Sequence, residues 1–375
     1  MEGLRGLAAL LVFFVHFNAL FRPYIRPDSW RGLAFGVAGT FGHTGVDLFF
    51  VLSGFLIYGI ILEKHPKWST FVYRRARRLY PVFLAVFALY LALSFLVPAE
   101  SKLPHSAPAA IAYIGANLLM LPGMVPNIVP MITQAWSLSY EWFFYLSLPM
   151  LVAVVGMRRW SRAGRVTFFL LLPAVYCLPF LHRADARLML FAAGILLWET
   201  VDAGVPQYLT SSGEYVVAAA FVINILIIGL VGARLGNTGV VLVQVPHFYV
   251  PSLFVTLLFF CLYAMFFQGF LARIFSWDYI RWMGNISYSY YLIHGLALHA
   301  VKVVLNRALP PSPRSALFDF MLLAVCLAFS IVCAALLFLW VEKPLSWSVP
   351  AKKPLPEVRP VAEPLQPERV TGTVA

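Results

Sequence analysis

The sequence predicts an all-α, polytopic integral membrane protein with about ten transmembrane helices and both termini in the cytoplasm. Three observations carry this. Of the 375 residues, 61% are hydrophobic and only 12% charged, with a mean hydropathy of +0.81. A soluble domain carries about 25% charged and about 45–50% apolar residues, so a soluble globule, a disordered chain and a collagen-like chain are all excluded. Apolar runs of bilayer-crossing length recur along the chain, and its basic residues cluster between those runs.

Runs able to cross as helices fall at 4–22, 42–62, 79–97, 139–156, 166–181, 187–202, 214–232, 248–270, 283–305 and 317–341. The fifth and sixth are short and joined by the polar stretch His182–Arg187, which also suits a partly penetrating hairpin. With the N-terminus inside, 18 of the 28 Lys and Arg fall on the cytoplasmic side, including Arg5, Arg74, Arg75, Arg77, Arg78 and Arg158, leaving 10 outside. Residues 98–138 form the longest external connection, with six prolines and an apolar piece near 109–121. A loop of that length with its own apolar segment is expected to dip into the bundle and shape a site. Residues 1–347 thus form one membrane domain, and 348–375, rich in Pro, Lys, Glu and Val, a disordered cytoplasmic tail.

The formal charge of +12 arises from 28 Lys and Arg against 16 Asp and Glu. Because these basic residues separate apolar runs, they read as topology signals and phosphate contacts, with no nucleic-acid partner expected. Cys177, Cys261, Cys326 and Cys333 lie in apolar stretches and read as packing residues, with no disulfide or metal expected. The first apolar run contains His16 and no small-residue cleavage pattern, so no cleavable signal peptide is expected.

Ionisable groups inside spans are costly and face a bundle interior or a wet cavity, so chemistry is sought there. Arg5 and His16 stand eleven residues apart, which on one helix is three turns plus about 20°: the same face, about 16 Å apart along the axis. Arg5 reads either as a snorkelling anchor or as a cytoplasmic-mouth cation, and His16 either as a bundle hydrogen-bonder or as a proton acceptor. In Gly45-Val46-Asp47 through Ser53-Gly54, the glycines and Ser53 allow a helix or ligand to approach closely, and Asp47 pairs with a cation or caps the helix. Arg74, Arg75 and Arg78 offer guanidinium forks on neighbouring helix positions, suited to a polyphosphate or to anionic lipid heads. Trp136-Ser137-Leu138-Ser139-Tyr140-Glu141 sets the only carboxylate between Glu100 and Asp185 among aromatic residues, at the external entrance of the fourth span. Ser287 to His294 adds tyrosines and a second mid-span histidine, and Glu342 at the end of the last span opposes the helix dipole and calls for a basic partner.

Taken in this order, the motifs Glu2-Gly3-Leu4-Arg5-Gly6-Leu7-Ala8-Ala9 to His16, Gly45 to Ile57, Arg75-Ala76-Arg77-Arg78-Leu79-Tyr80-Pro81, Trp136 to Glu141 with Phe144-Tyr145, Ser287-Tyr288 with Tyr291-Leu292-Ile293-His294, and Glu342-Lys343-Pro344 resemble the acyltransferase 3 family of integral-membrane acyltransferases. The resemblance implies a ten-helix enzyme of the cell (inner) membrane. It would move an acyl group, commonly acetyl from acetyl-CoA, to a sugar hydroxyl of a surface polysaccharide, a lipid-linked glycan or a secreted glycosylated molecule. It further implies that Arg5 and His16 are catalytic, that Arg75 and Arg78 bind the acyl donor, and that Glu141 is the family's acidic position. Asp47, Ser53, Trp136, Ser137, Ser139, Tyr291 and His294 are the expected substrate-lining residues. Typical members carry a second acidic residue and an amide after the matching Glu, where this chain has Trp142 and Phe143. No external esterase-like domain of the kind some relatives have is expected after the last span, so acceptor handling is expected in the membrane domain or a partner protein.

The expected route brings acyl-CoA from the cytoplasm, its phosphates on Arg75 and Arg78, its arm of about 20 Å reaching into a core about 30 Å thick. His16 acts as general base with Glu141 orienting it, or carries the acyl group itself. A transporter or flippase of a glycan or lipid-linked substrate is the alternative from another class, and a lipid-binding scaffold a third.

Overall fold

The computed structural model describes residues 1–176, 186–206, 209–210, 212–236 and 249–346. Cys177, the stretch 182–185 of the expected polar turn and the tail 348–375 lie outside the described residues. The elements are α1 (Glu2–Phe21), α2 (Trp30–Phe41), α3 (Thr44–Lys64), α4 (Trp68–Leu96), α5 (Ala107–Leu118), α6 (Trp136–Val154), α7 (Arg162–Tyr176) and α8 (Met189–Asp202). Then follow α9 (Gly213–Gly236), α10 (Val250–Phe266), α11 (Phe270–Ser276), α12 (Asp278–Asn285), α13 (Ser287–Ala308), α14 (Ala316–Leu337), a π-turn (Phe338–Glu342) and α15 (Lys343–Ser346). Among the described residues there is no β-strand, only an isolated bridge between Pro122 and Val125.

Among the described residues, six stretches are long and apolar enough to cross a membrane, or seven if α10 and α11, bent by 74°, count as one. The sequence expectation of about ten differs at three places. The runs 166–181 and 187–202 appear as α7 and α8, of 15 and 14 residues, and a helix of fourteen residues is only about 21 Å long. The run 283–305 becomes α12 plus α13, and α13 carries His294, His299, Lys302 and Arg307. The run 248–270 breaks near Gly269, where the buried carboxylate of Glu214 on α9 accepts from the Phe270 and Leu271 amides at 3.0 and 3.2 Å, capping α11 from another helix. Residues 30–41, read from the sequence as part of a connection, form α2. It is started by Ser29, whose Oγ accepts from the Gly32 amide at 3.2 Å, and stacked end to end on α3.

Helix α1 is central, packed against α2, α3, α12 and α13. Its crossing with α12 depends on glycine: a Cβ on Gly6 would lie 2.4 Å from the Ile280 carbonyl oxygen and one on Gly284 1.8 Å from that of Glu2. The α3–α8 crossing uses Gly54 and Gly194 in the same way, with Cβ positions 2.1 Å from the Phe191 oxygen and 2.0 Å from the Val51 oxygen. The close approach expected at Gly54 is therefore to a helix, and at Gly45 it is to the Ala8 carbonyl of α1.

Proline shapes α4. Pro81 cannot supply an amide to the preceding turn, and the nearby carbonyls of Leu79 and Arg78 instead accept from Tyr288 Oη at 2.7 Å and Ser346 Oγ at 3.3 Å. That pins the arginine turn of α4 to α13 and α15. The 98–138 connection packs into the bundle as expected: Met131, Ile132 and Gln134 are buried. Asn117 Oδ1 accepts from the Met131 amide at 2.8 Å, and Gln134 Nε2 donates to the Leu292 carbonyl of α13 at 2.9 Å.

Candidate active site

Five helices build one polar cavity of about 140 Å³, room for on the order of ten waters. Helix α1 contributes Arg5, α3 Ser53, α4 Arg75 and Arg78, α6 Ser137, Glu141 and Tyr145, and α13 Ser287, Tyr288 and Tyr291. Glu141 Oε1 accepts from Ser53 Oγ at 2.9 Å and from Tyr145 Oη one helical turn on. The Arg75 guanidinium lies over the Phe71 and Tyr145 rings, 5.3 and 5.7 Å from their centroids. Its Nε is buried without a hydrogen-bond partner. Three guanidinium groups thus face one lining carboxylate, and the excess of positive charge suits an anion. The volume fits a small acyl or phosphate group and leaves a nucleotide to lie outside it.

Glu342 stands behind this wall. The π-turn at the end of α14 turns it inward, fully buried, so that Oε2 accepts from the Ser289 amide at 3.2 Å and Ser289 Oγ at 2.6 Å, holding the first turn of α13. The basic partner expected for it does not form an ion pair among the described residues: Arg5 lies within its electrostatic range, and Glu342 Oε1 is buried without a hydrogen-bond partner.

A second polar cluster sits further along α1. His16, half-buried, meets the ring of His294 at a centroid distance of 4.9 Å with the planes at 68°. His294 is completely buried, its Nδ1 3.0 Å from the Tyr290 carbonyl oxygen, its ring stacked on Tyr290 at 5.3 Å. Nearby, the buried pair Asp47 and Arg187 is 3.7 Å apart, Arg187 lies over the Trp136 ring at 5.4 Å, and His43 interacts with both Arg187 and His16. On α13, Ser287, Tyr291 and His294 follow at i, i+4 and i+7, one stripe along the helix. Tyr291 joins the two clusters: it lines the cavity, hydrogen-bonds Ser137 Oγ at 2.6 Å and the Gln134 carbonyl at 2.9 Å, and stands 6.1 Å from the His294 ring.

Of the residues expected from the sequence, Arg5, Ser53, Arg75, Arg78, Ser137, Glu141 and Tyr291 therefore share one cavity. His16 and His294 meet each other outside its lining. The ring that His16 meets is thus His294, whereas Glu141, expected to orient His16, is held by Ser53 and Tyr145. Asp47 and Trp136 gather around Arg187, and Ser139 is buried with its Oγ unpartnered, apart from the cavity. The sequence reading missed Arg187, placed in a connection, and His43. An ionisable pair of sequence-distant residues leaves no local pattern. Among the described residues no three His, Cys, Asp or Glu side chains converge as a metal site.

The family described as an acyltransferase domain matches residues 1–340. The chain is 32% identical over 188 residues to acyltransferase MdmB of Streptomyces mycarofaciens, covering 48% of this chain and 45% of that protein. It is 33% identical over 110 residues to the exopolysaccharide production protein ExoZ of Rhizobium meliloti (28% of this chain, 33% of that one). It is 25% identical over 170 residues to a Staphylococcus aureus protein named in provisional terms as an O-acetyltransferase (41% and 24%). The matches thus span less than half the length of each of these relatives. No solved structure matches the chain. With nearly its whole length matched by one family, and with the family's motifs gathered on α1, α3, α4, α6 and α13 around a single cavity, the chain belongs to the acyltransferase 3 family of membrane proteins.

Proposed function

We propose that this protein is a multi-pass enzyme of the cell (inner) membrane that moves an acyl group, commonly acetyl, from acyl-CoA to a sugar hydroxyl of a surface polysaccharide, a lipid-linked glycan or a secreted glycosylated molecule. The observation that carries the reading is the cavity in which Arg5, Arg75 and Arg78 face Glu141. Arg75 and Arg78 hold donor phosphates at its mouth, and the cavity admits the acyl end. The excess of basic residues in the connections assigned inside supports both termini being cytoplasmic, which brings the donor to the arginine side. A relative named for exopolysaccharide production and another named for O-acetyl transfer support the acceptor and acyl classes.

In this reading His16 takes the proton of the acceptor hydroxyl as its oxygen attacks the thioester carbonyl. The hydrogen-bonded set of Glu141, Ser53 and Tyr145 orders the donor side. The test uses purified protein, labelled acetyl-CoA and isolated surface glycan. His16→Ala is expected to lower transfer about 10²–10⁴-fold, the contribution of a positioned general base, and undiminished transfer in that variant would overturn the role.

A further inference from the structure

His294 is a buried imidazole that the proposed chemistry leaves unused, and its hydrogen bonding is asymmetric. Its Nδ1 faces the Tyr290 carbonyl oxygen at 3.0 Å. A carbonyl only accepts, so Nδ1 carries the proton and Nε2 of the neutral ring presents a lone pair. That Nε2 is buried and has no partner, although buried acceptors are nearly always bonded. The ring cannot readily turn away, because Tyr290 stacks on it at 5.3 Å with the planes within 4° and Tyr291 stands at 6.1 Å. Among the described residues, the N–H-bearing ring against it is His16, at 4.9 Å between centroids.

We infer that His294 is a positioning residue: its Nε2 lone pair accepts the N–H of His16, fixing which His16 nitrogen is left free to take a proton. The structure supplies the ring contact and the unpartnered Nε2, the bond between the two imidazoles is the inference, and its catalytic consequence rests on the acyl-transfer reading. As the acceptor oxygen attacks the thioester carbonyl, its proton passes to the free nitrogen of His16 and the C–O bond forms. The C–S bond then breaks and the thiolate leaves, recovering that proton from His16. Between those events His16 is an imidazolium, and its other N–H is held by His294. This replaces the expected carboxylate orienter by a neutral imidazole, a partner that adds no charge to the span.

The elements packed against α1 carry the following ionisable groups, of which His43 is the one with an electrostatic interaction with His16. Near α3 stand His43 and the Asp47–Arg187 pair. From α2 there is Arg31, bound to Asp319 of α14. From α12, Arg281 is bound to Glu2 at the far end of α1, with Asp278 beside it, and from α11 Arg273 donates to the Gly269 carbonyl of its own helix. Among them His43 is the second imidazole in range, so it is the control.

The test is solid-state NMR of the full-length protein in lipid bilayers, labelled with ¹⁵N-histidine, with the His16 signals identified by their loss in His16→Gln. Wild type is expected to show His16 as a single tautomer with nitrogen–nitrogen coupling to His294. His294→Leu should give mixed tautomers, His294→Gln, whose amide oxygen accepts, should restore one, and His43→Gln should leave His16 unchanged. An unaltered single tautomer in His294→Leu, or mixed tautomers in wild type, overturns the inference. In acetyl-CoA turnover, His294→Leu should lower kcat about tenfold or more with KM for acetyl-CoA unchanged, a part of the roughly 10²–10⁴-fold a positioned base supplies. The acidic limb of its pH profile should move to lower pH, because the imidazolium has lost its acceptor, and His294→Gln should bring the limb back. Loss of kcat with an unmoved limb in both variants means packing alone and overturns the role. Wild type with the expected NMR signature and no acetyl transfer would instead sink the acyltransferase reading, so the two failures are distinct.

Discussion

The arginine cavity and the histidine pair share two helices, α1 and α13, yet they solve opposite problems. In the cavity, charge is concentrated: three guanidinium groups line it together with Glu141, and Arg75 Nε has no hydrogen-bond partner among the described residues. In the histidine pair, two imidazole rings are packed against each other and against tyrosine. A site that must attract and release a charged donor profits from unspent charge, whereas a base that must receive a proton profits from a fixed orientation and a low local charge. One helix sets the spacing, because Arg5 and His16 lie on the same face of α1 about 16 Å apart along its axis, and Tyr291 is the residue that borders both regions.

The most direct way to break this division is to remove the charge from one side. Arg75→Ala with Arg78→Ala should weaken CoA binding about a hundredfold or more, since each charge-assisted hydrogen bond lost is worth about 1.5–3 kcal/mol. Titration calorimetry in detergent measures it. The His16 NMR signature should stay as in wild type, and equal CoA affinity in the double variant removes the phosphate clamp. A smaller effect is expected behind the cavity wall. Glu342→Ala strips the acceptor from the Ser289 amide and hydroxyl, leaving buried donors unpaired at a cost of about 1–3 kcal/mol. It should lower the thermal midpoint, while Glu342→Gln, which keeps an acceptor oxygen, should lower it less.

The division was half legible in the sequence. Arg5, Arg75, Arg78 and Glu141 announce themselves because charge is rare in apolar runs, and helical spacing alone set Arg5 and His16 on one face. The partners were not legible. Arg187 reads as a loop charge and is buried beside Asp47, and Glu214 reads as a helix-start acid and caps α11 across 56 residues of chain. Such pairings depend on which helices touch, which hydropathy does not encode. Apolar runs likewise fixed where helices form better than how many cross: α8 is only 14 residues long and ends in Glu199, Thr200 and Asp202, and α13 has the length but carries histidines and basic residues. The bend of 74° between α10 and α11 was hidden in one continuous apolar run.

The boundary residue offers a finer test. Tyr291→Phe keeps the ring beside His294 but loses the hydroxyl that meets Ser137 and Gln134. If Tyr291 only separates the two regions, acetyl transfer should fall less than tenfold, with CoA affinity and the His16 tautomer both preserved, and a loss of either would show that its hydroxyl couples them.

The smallest effect should come from the strap that holds this boundary from outside. Lys102 Nζ donates to the Pro130 and Met131 carbonyls, each at 3.1 Å, and to Thr133 Oγ1 at 2.9 Å. It thereby ties down the segment that ends in Gln134, whose side chain and carbonyl both engage α13. These bonds are largely exposed, so Lys102→Met should cost only about 0.5–1.5 kcal/mol. Hydrogen exchange should quicken at residues 130–134 before any change at α13. Were exchange to quicken first at α13 instead, the strap would be acting on the histidine pair directly, and the two regions would be less independent than their separate packing implies.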